Sequence, residues 1–424
     1  MKLDTLAIHA GEKNDPTSGS VVTPIHQTAG FQFDDADQAN KRFLLEEGGQ
    51  IYSRMGNPTM DNFEARMTAL DGGVGAVSTA SGMTAIAYAV MNICRAGDNF
   101  VTSRNLYGGV SNLFANILKD YGIEARFVNH GDPENFREAM DDKTRFFFGE
   151  TLPNPRLNIF PISEVAKIAD EVGVPLIIDN TCATPALCRP FEHGAHINVY
   201  SATKYIGGQG TSIGGIVVDS GKFDWVKNAE RFPMINEPDP SLHGIKWTEK
   251  FGDMAYIVKL RVTMLRDFGG CMAPMNAFLF SQGLETLTLR MEKHCQNAEK
   301  VAHFLNDHPK VNFVRYPSLA EPERKKWVEE LFTDGLYGPM VGVDVKGGTE
   351  AGKAMVENLE LFYHVANIGD VRSMAIHPAS TTHSQIPQAD REEAGITDGF
   401  VRLCIGIENA EDIIADLEQA LAKI

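Results

Sequence analysis

VPLIIDNTCATPALCRPFEHGAHINVYSATK, residues 174–204, holds two apolar, β-branched runs that each end in a group able to do chemistry. The first, VPLIIDN (174–180), closes on Asp179. The second, INVYSAT (197–203), closes on Ser201 and Thr203, and Lys204 and the glycine cluster YIGGQGTSIGG (205–215) follow it. Runs that are apolar throughout are the pattern of strands buried on both faces, as in a parallel sheet. In open α/β sheets, ligands sit outside the carboxyl ends of the strands, where Asp179 and Lys204 fall. Each has a plainer reading when taken alone. A strand-end aspartate is commonly a turn former, and a lysine at a strand-to-loop junction is commonly a solvated charge.

The same alternation extends in both directions. AVST (76–79), NFVTS (99–103), EARFV (124–128), RFFFGE (145–150) and GGIVVDS (214–220) are further strand candidates, with helical stretches between most of them. Strands alternating with helices predict an α/β domain with a mainly parallel sheet. NPTMDNFEARMTALDG (57–72) predicts a helix capped near Asn57 or Thr59, with Gly72 past its end. Beyond about residue 272 the character shifts. SQGLETLTLRMEKHCQNAEKVAHFLNDHP (281–309) is expected to be one long amphipathic helix, and short strands and helices follow. The first 57 residues carry repeated turn signals and predict an extended arm with short helices. The expected organisation is an arm over 1–57, an α/β domain over 58–272 and a smaller α+β domain over 273–424. A chain of 424 residues is long enough for such a division.

Lys+Arg 39 against Asp+Glu 56 gives a net charge of −17, which argues against a nucleic-acid or anionic-membrane partner. No apolar run reaches the roughly 18 residues needed to span a bilayer, and MKLDTLAIHAGEKNDP lacks the features of a signal peptide. Six cysteines are scattered without any CxxC, so neither a metal site nor a disulfide framework is expected. A reducing, cytoplasmic setting follows from that usage.

A third strand-end feature is ASGMTA (80–85), where Ser81 and Gly82 open a helix whose N-terminus can receive an anion. One ligand requires an anion cradle, a buried carboxylate and an amine together. Pyridoxal 5′-phosphate carries a phosphate, a basic ring nitrogen and an aldehyde that condenses with lysine. On this reading Asp179, with Thr181 beside it, keeps the ring nitrogen protonated. Ser201, Thr203 and the backbone at Gly82 and Met83 take the phosphate, and Lys204 binds the aldehyde. A dinucleotide site is excluded because GQGTSI (208–213) lacks the third glycine of GxGxxG.

The chain resembles the Cys/Met-metabolism family of pyridoxal-phosphate enzymes over essentially its whole length. The motifs that carry the resemblance are YSRMGNPT (52–59), ASGMTA (80–85), NLYGG (105–109), ETLPNP (150–155), DNT (179–181), SATKYIGG (201–208), HPASTTH (377–383) and VRLCIGIE (401–408). The resemblance implies an aspartate-aminotransferase-like, fold type I cofactor domain. It implies that Tyr107 stacks on the cofactor ring and takes part in proton and leaving-group chemistry. It also implies that Asn154 bonds the cofactor's phenolic oxygen. Arg402 would grip the substrate carboxylate, as its planar fork suits, with Asn367 beside the substrate. Tyr52 and Arg54 would reach a neighbouring subunit's phosphate site, Tyr52 also touching its substrate, in a homo-oligomer built as a dimer of dimers.

Within the family, Gly109 stands where methionine γ-lyases carry a reactive cysteine, and Asn367 where lyases and cystathionine synthases usually carry serine. DWVKNAERFPMINEPDPSLHGIKW (224–247) is longer than lyases need, with Leu242 in place of a tyrosine; Val110–Ser111 is a second departure. These features resemble the sulfhydrylases. They imply γ-replacement on O-acetyl-L-homoserine by sulfide, a thiol or the sulfur of a carrier protein. A γ-lyase, a cystathionine γ-synthase and a cofactor-bound binding module are the alternatives.

Overall fold

The computed structural model describes residues 1–424 apart from 13, 333, 383, 385–387, 389–390 and 392–394, so the last histidine of HPASTTH lies outside the described residues. The strands read from the sequence in the first half form one seven-stranded sheet. They are β1 (Gly75–Thr79), β2 (Asn99–Ser103), β3 (Glu124–Val128), β4 (Thr144–Glu150), β5 (Leu176–Asp179), β6 (Ile197–Ser201) and β7 (Gly215–Asp219). Their spatial order is β1-β7-β6-β5-β4-β2-β3, with every pair parallel except the two that involve β7. Because β7 runs against both neighbours, β1 keeps the direction of β6. The carboxyl ends of β1, β4, β5 and β6 therefore open on one edge.

A second, five-stranded sheet in the order β10-β11-β12-β9-β8 follows. Its strands are β8 (Val311–Arg315), β9 (Met340–Val345), β10 (Tyr363–His364), β11 (Met374–Ile376) and β12 (Phe400–Cys404). It is antiparallel except for the β10–β11 pair. The architecture is thus a mainly parallel α/β domain with a smaller, mainly antiparallel sheet beside it, as the resemblance to fold type I enzymes implies. Aromatic packing stiffens the layer over the large sheet: Phe100 stacks on Phe146 at 4.4 Å between centroids, and Phe114 meets Phe148 edge-on at 5.0 Å.

The Pro58–Asp71 helix has its expected ends. Asn57 accepts from the Thr59 amide, and Gly72 adopts φ 75°, a left-handed conformation that glycine takes without a Cβ clash. The long helix expected over 281–309 is instead two helices, Pro274–Glu285 and Leu287–Asn306, parted at Thr286. The first packs on the Pro58–Asp71 helix, with Phe280 and Phe63 at 5.6 Å. The second lies along the small sheet. Arg290 then turns back so that its guanidinium donates to the carbonyls of Tyr205, Ile206 and Gly283. A straight helix would lose one of the two contact faces. Amphipathic periodicity persists through the break, which is why the pattern alone reads as continuous.

The first residues fold back on their own chain. Buried Arg66 donates to the carbonyls of Ala10 and Ser281, both at 3.0 Å, and pairs with Glu12 and Glu285. It thereby ties the N-terminal segment, the Pro58–Asp71 helix and the Pro274–Glu285 helix together. Arg66→Met is expected to lower stability by about 3 kcal/mol, because buried carbonyls and a partly buried carboxylate lose their donor. Denaturant unfolding with the slope held in common checks this; a change under about 0.5 kcal/mol would show the cluster to be energetically idle.

Candidate active site

Register brings the strand-end groups together. Gly215 on β7 lies opposite both Thr79 and Ser201. A Cβ there would stand 2.2 Å from the Ser81 carbonyl oxygen, so glycine alone permits this approach. A Cβ at Gly82 would likewise meet the Ser201 side chain at 2.6 Å. The helix Gly82–Met91 thus starts directly beside the end of β6. The Ser81 hydroxyl caps it by accepting from Thr84 N–H at 3.1 Å, and the amides of Gly82 and Met83 stay in its first turn. Thr181 Oγ1 accepts from Ser201 N–H at 2.8 Å, and Thr203 Oγ1 bonds Gly214, so the hydroxyl-rich end of β6 is held from both sides.

Asp179 and Glu150 are direct neighbours across β4 and β5. Asp179 accepts from Thr181 N–H at 3.0 Å, and Glu150 accepts from Tyr107 N–H at 2.6 Å. Burial raises the pKa of both carboxyls, and the Asp179 charge adds to the effect on Glu150. Among the described residues neither forms an ion pair. A buried and a half-buried acid without a cation between them are costly, and a cationic ring nitrogen would relieve that cost.

Lys204 Nζ donates to Asn367 Oδ1 at 2.6 Å. Burial, and then the nearby Arg402 charge, hold this amine below its ordinary pKa. The 367–369 segment comes this close because Gly369, at φ 79°, presses against the Lys204 backbone; a Cβ there would lie 2.6 Å away. Arg402, on β12, donates through Nη2 to the Asn367 carbonyl at 2.8 Å and through Nη1 to Asn154 Oδ1 at 3.3 Å. Its Nε is buried without a partner among the described residues. With the Asn154 oxygen engaged by Arg402, its amide nitrogen is the end left to meet an acidic oxygen.

Ser81, Gly82, Met83, Tyr107, Asn154, Asp179, Thr181, Ser201, Thr203, Lys204, Asn367 and Arg402 all line one cavity of about 280 Å³. Tyr52 and Arg54 do not. Arg54 bonds the Arg266 carbonyl and lies 5.4 Å over the Tyr52 ring, away from the cavity of its own chain. Leu242 is buried in the core and does not line the cavity, whereas Val110 does. Gly109 has a local reason: a Cβ would lie 2.6 Å from the half-exposed Tyr107 ring. Sequence reasoning missed Glu150 and Cys182, which also line the cavity. Glu150 ends an apolar strand as Asp179 does, and that signal could have found it. Burial raises the Cys182 thiol pKa, so it stays protonated.

The residues fit pyridoxal phosphate: a helix-start anion cradle, a strand-end acid lacking a cation and an amine of lowered pKa surround one space. Comparison with known proteins agrees. Residues 4–422 match the model of the Cys/Met metabolism PLP-dependent enzymes. O-acetyl-L-homoserine sulfhydrylase of Leptospira meyeri is 49% identical, covering 100% of this chain and 97% of that one. Homocysteine synthase of Schizosaccharomyces pombe is 45% identical, over 99% of this chain and 97% of its own. A crystal structure from Campylobacter jejuni, named as an O-acetylhomoserine (thiol)-lyase and carrying N′-pyridoxyl-lysine-5′-monophosphate, superimposes with a TM-score of 0.96. It is 41% identical and each chain is covered in full.

Proposed function

The chain belongs to the Cys/Met metabolism family of pyridoxal-phosphate-dependent enzymes, and we propose that it catalyses γ-replacement on O-acetyl-L-homoserine. A sulfur nucleophile displaces acetate and yields homocysteine, or methionine when the donor is methanethiol. The observation that carries this reading is the convergence of the Lys204 amine, the Asp179 carboxylate and the Arg402 guanidinium on one cavity. Full-length likeness to sulfhydrylases supports the choice of substrate.

Ser81, Gly82, Met83, Ser201 and Thr203 would hold the cofactor phosphate, Asn154 its phenolic oxygen, Asp179 its ring nitrogen and Lys204 its aldehyde. When bound, the cofactor supplies an electron sink next to the substrate Cα. Arg402 takes the substrate carboxylate with the two N–H groups it now turns toward Asn154 and Asn367. Lys204 Nζ removes the Cα proton and then moves a proton at Cβ. Its lowered pKa favours the neutral amine that such work requires. Acetate departs from Cγ, the sulfur adds there, and Lys204 returns the protons. Tyr107 packs over the site, and Glu150 positions it through the backbone bond at 2.6 Å.

A donor panel tests the reading. With O-acetylhomoserine, sulfide is expected to give homocysteine and methanethiol methionine, read by mass, with little 2-oxo acid. Dominant 2-oxo acid even at saturating sulfide would make the enzyme a γ-lyase. Cysteine as the only productive donor would make it a cystathionine γ-synthase. A thiocarboxylated carrier protein belongs in the same panel.

Residues 1–57 form the proposed arm, 58–272 the cofactor domain and 273–424 the second domain. Past the tethered first dozen residues the arm exposes Val21, Val22, Phe43 and Tyr52. That apolar surface suits a neighbouring subunit in a dimer of dimers, where Tyr52 and Arg54 would complete its phosphate site. Mixing Arg54→Ala with Lys204→Ala chains under subunit exchange is expected to restore about a quarter of the sites, since a two-fold interface pairs one sound arm with one sound lysine. No recovery after demonstrated exchange would show that the arm serves its own chain. No helix among the described residues is long and apolar enough to cross a membrane. The six cysteines are all unpaired, which supports a cytoplasmic setting.

A further inference from the structure

A second cavity, of about 340 Å³, lies between the loop after β4 and the start of the small sheet. Arg156, Arg315 and Arg324 all line it, and Glu321 is the one carboxylate among its described lining residues. The guanidiniums are close: a Cβ on Gly395 would stand 2.7 Å from both Arg156 Nε and Arg315 Nη1. Two of them are held in place. Arg315 donates to the Gly395 carbonyl at 2.6 Å and is flanked by the rings of Phe313 and Phe400 at 5.0 and 5.4 Å. Arg156 donates to Asn105 Oδ1 at 2.9 Å. Among the described residues, neither Arg315 nor Arg324 has a carboxylate within ion-pair distance.

In a chain of net charge −17, this concentration of cationic forks around a cavity is unusual, because like charges held together raise each other's energy. Burial and the two neighbouring guanidiniums, opposed in part by the Asp344 carboxylate, bring the Arg315 pKa down to about 10. His130, behind Asn158, is held neutral by burial and by the Arg324 and Arg156 charges. A ligand of opposite charge would relieve all of these at once.

We propose that this cavity binds a small tetrahedral dianion, inorganic phosphate or sulfate, apart from the cofactor's own phosphate site. Planar guanidinium forks match the oxygens of such an ion bidentately. Two of the loops that serve this cavity run on into the active site. Arg156 stands two residues after Asn154, and its partner Asn105 stands two before Tyr107. A bound anion would therefore brace both the cofactor-facing loops.

The test uses the cofactor-loaded enzyme, so that the cradle at Gly82 is filled. Phosphate and sulfate are titrated calorimetrically against potassium chloride of equal ionic strength, with the melting temperature read in parallel. The expected result is one saturable site per chain and a rise in melting temperature that chloride does not reproduce. Arg324→Gln and Arg315→Gln should each weaken binding by about tenfold or more, the effect of losing one charge-assisted contact. Arg137→Gln, at a remote surface pair, should leave it unchanged. Arg324 is exposed at the start of a helix, so its variant is expected to fold and keeps the test decisive if Arg315→Gln does not. Absence of a saturable site in the loaded enzyme, or binding indifferent to both substitutions, overturns the proposal. Neither outcome bears on the γ-replacement reading, which the donor panel tests separately.

Discussion

Lys204→Ala is expected to reduce turnover of O-acetylhomoserine with sulfide by at least about a thousandfold, because the general base and the covalent anchor are lost together. The amine makes one described hydrogen bond, to Asn367 Oδ1, so the fold should survive and the melting temperature should change little. A second readout is independent of rate. Borohydride treatment of the wild-type enzyme should bleach its visible absorbance irreversibly and leave the cofactor mass on the peptide containing Lys204. The variant should show neither. A Lys204→Ala enzyme of near-normal rate, or a borohydride adduct on another lysine, would remove Lys204 from the chemistry.

Asp179→Asn is the sharper electrostatic test. Asparagine keeps the shape and can still accept the Thr181 N–H that Asp179 accepts at 3.0 Å. What it lacks is the charge that would hold a proton on the cofactor ring nitrogen. The expected result is retained cofactor binding with kcat lowered at least about a hundredfold, as when a preorganised electrostatic group is deleted. Glu150→Gln is the companion variant, since Glu150 stands next to Asp179 in the sheet. Its carboxylate is aimed at the Tyr107 amide, so its loss should be felt through the placement of Tyr107 and be smaller in kcat. If Asp179→Asn costs little and Glu150→Gln costs a hundredfold, the two acids have been assigned the wrong way round.

Much of this was legible along the chain. Most strands of the large sheet could be read because a strand buried on both faces needs a largely apolar run, and that requirement is local; the edge strand β3, EARFV, is the exception. The ends of β5 and β6 announced Asp179 and Lys204 for the same reason: polar groups appear where the strand leaves the core. The N-cap at Asn57 and the left-handed Gly72 depend only on their own neighbours. The family motifs then supplied Tyr107, Asn154, Asn367 and Arg402, whose positions no periodicity reveals.

Other features exist only once segments distant in sequence meet. The pairing of Glu150 with Asp179 is a consequence of β4–β5 register; burial raises both carboxyls, and the Asp179 charge raises Glu150 further. The lowered pKa of Lys204 arises from its burial in the packed cavity and then from Arg402, almost two hundred residues later in the chain. The break at Thr286 answers to two different packing partners, which amphipathic periodicity cannot distinguish from one. Sequence by itself determined the kind of sheet, the ends of its strands and the chemical groups placed there, because those follow from local burial. Tertiary structure alone decided which of those groups face one another, and with what charge state, because distance and dielectric are properties of the packed chain.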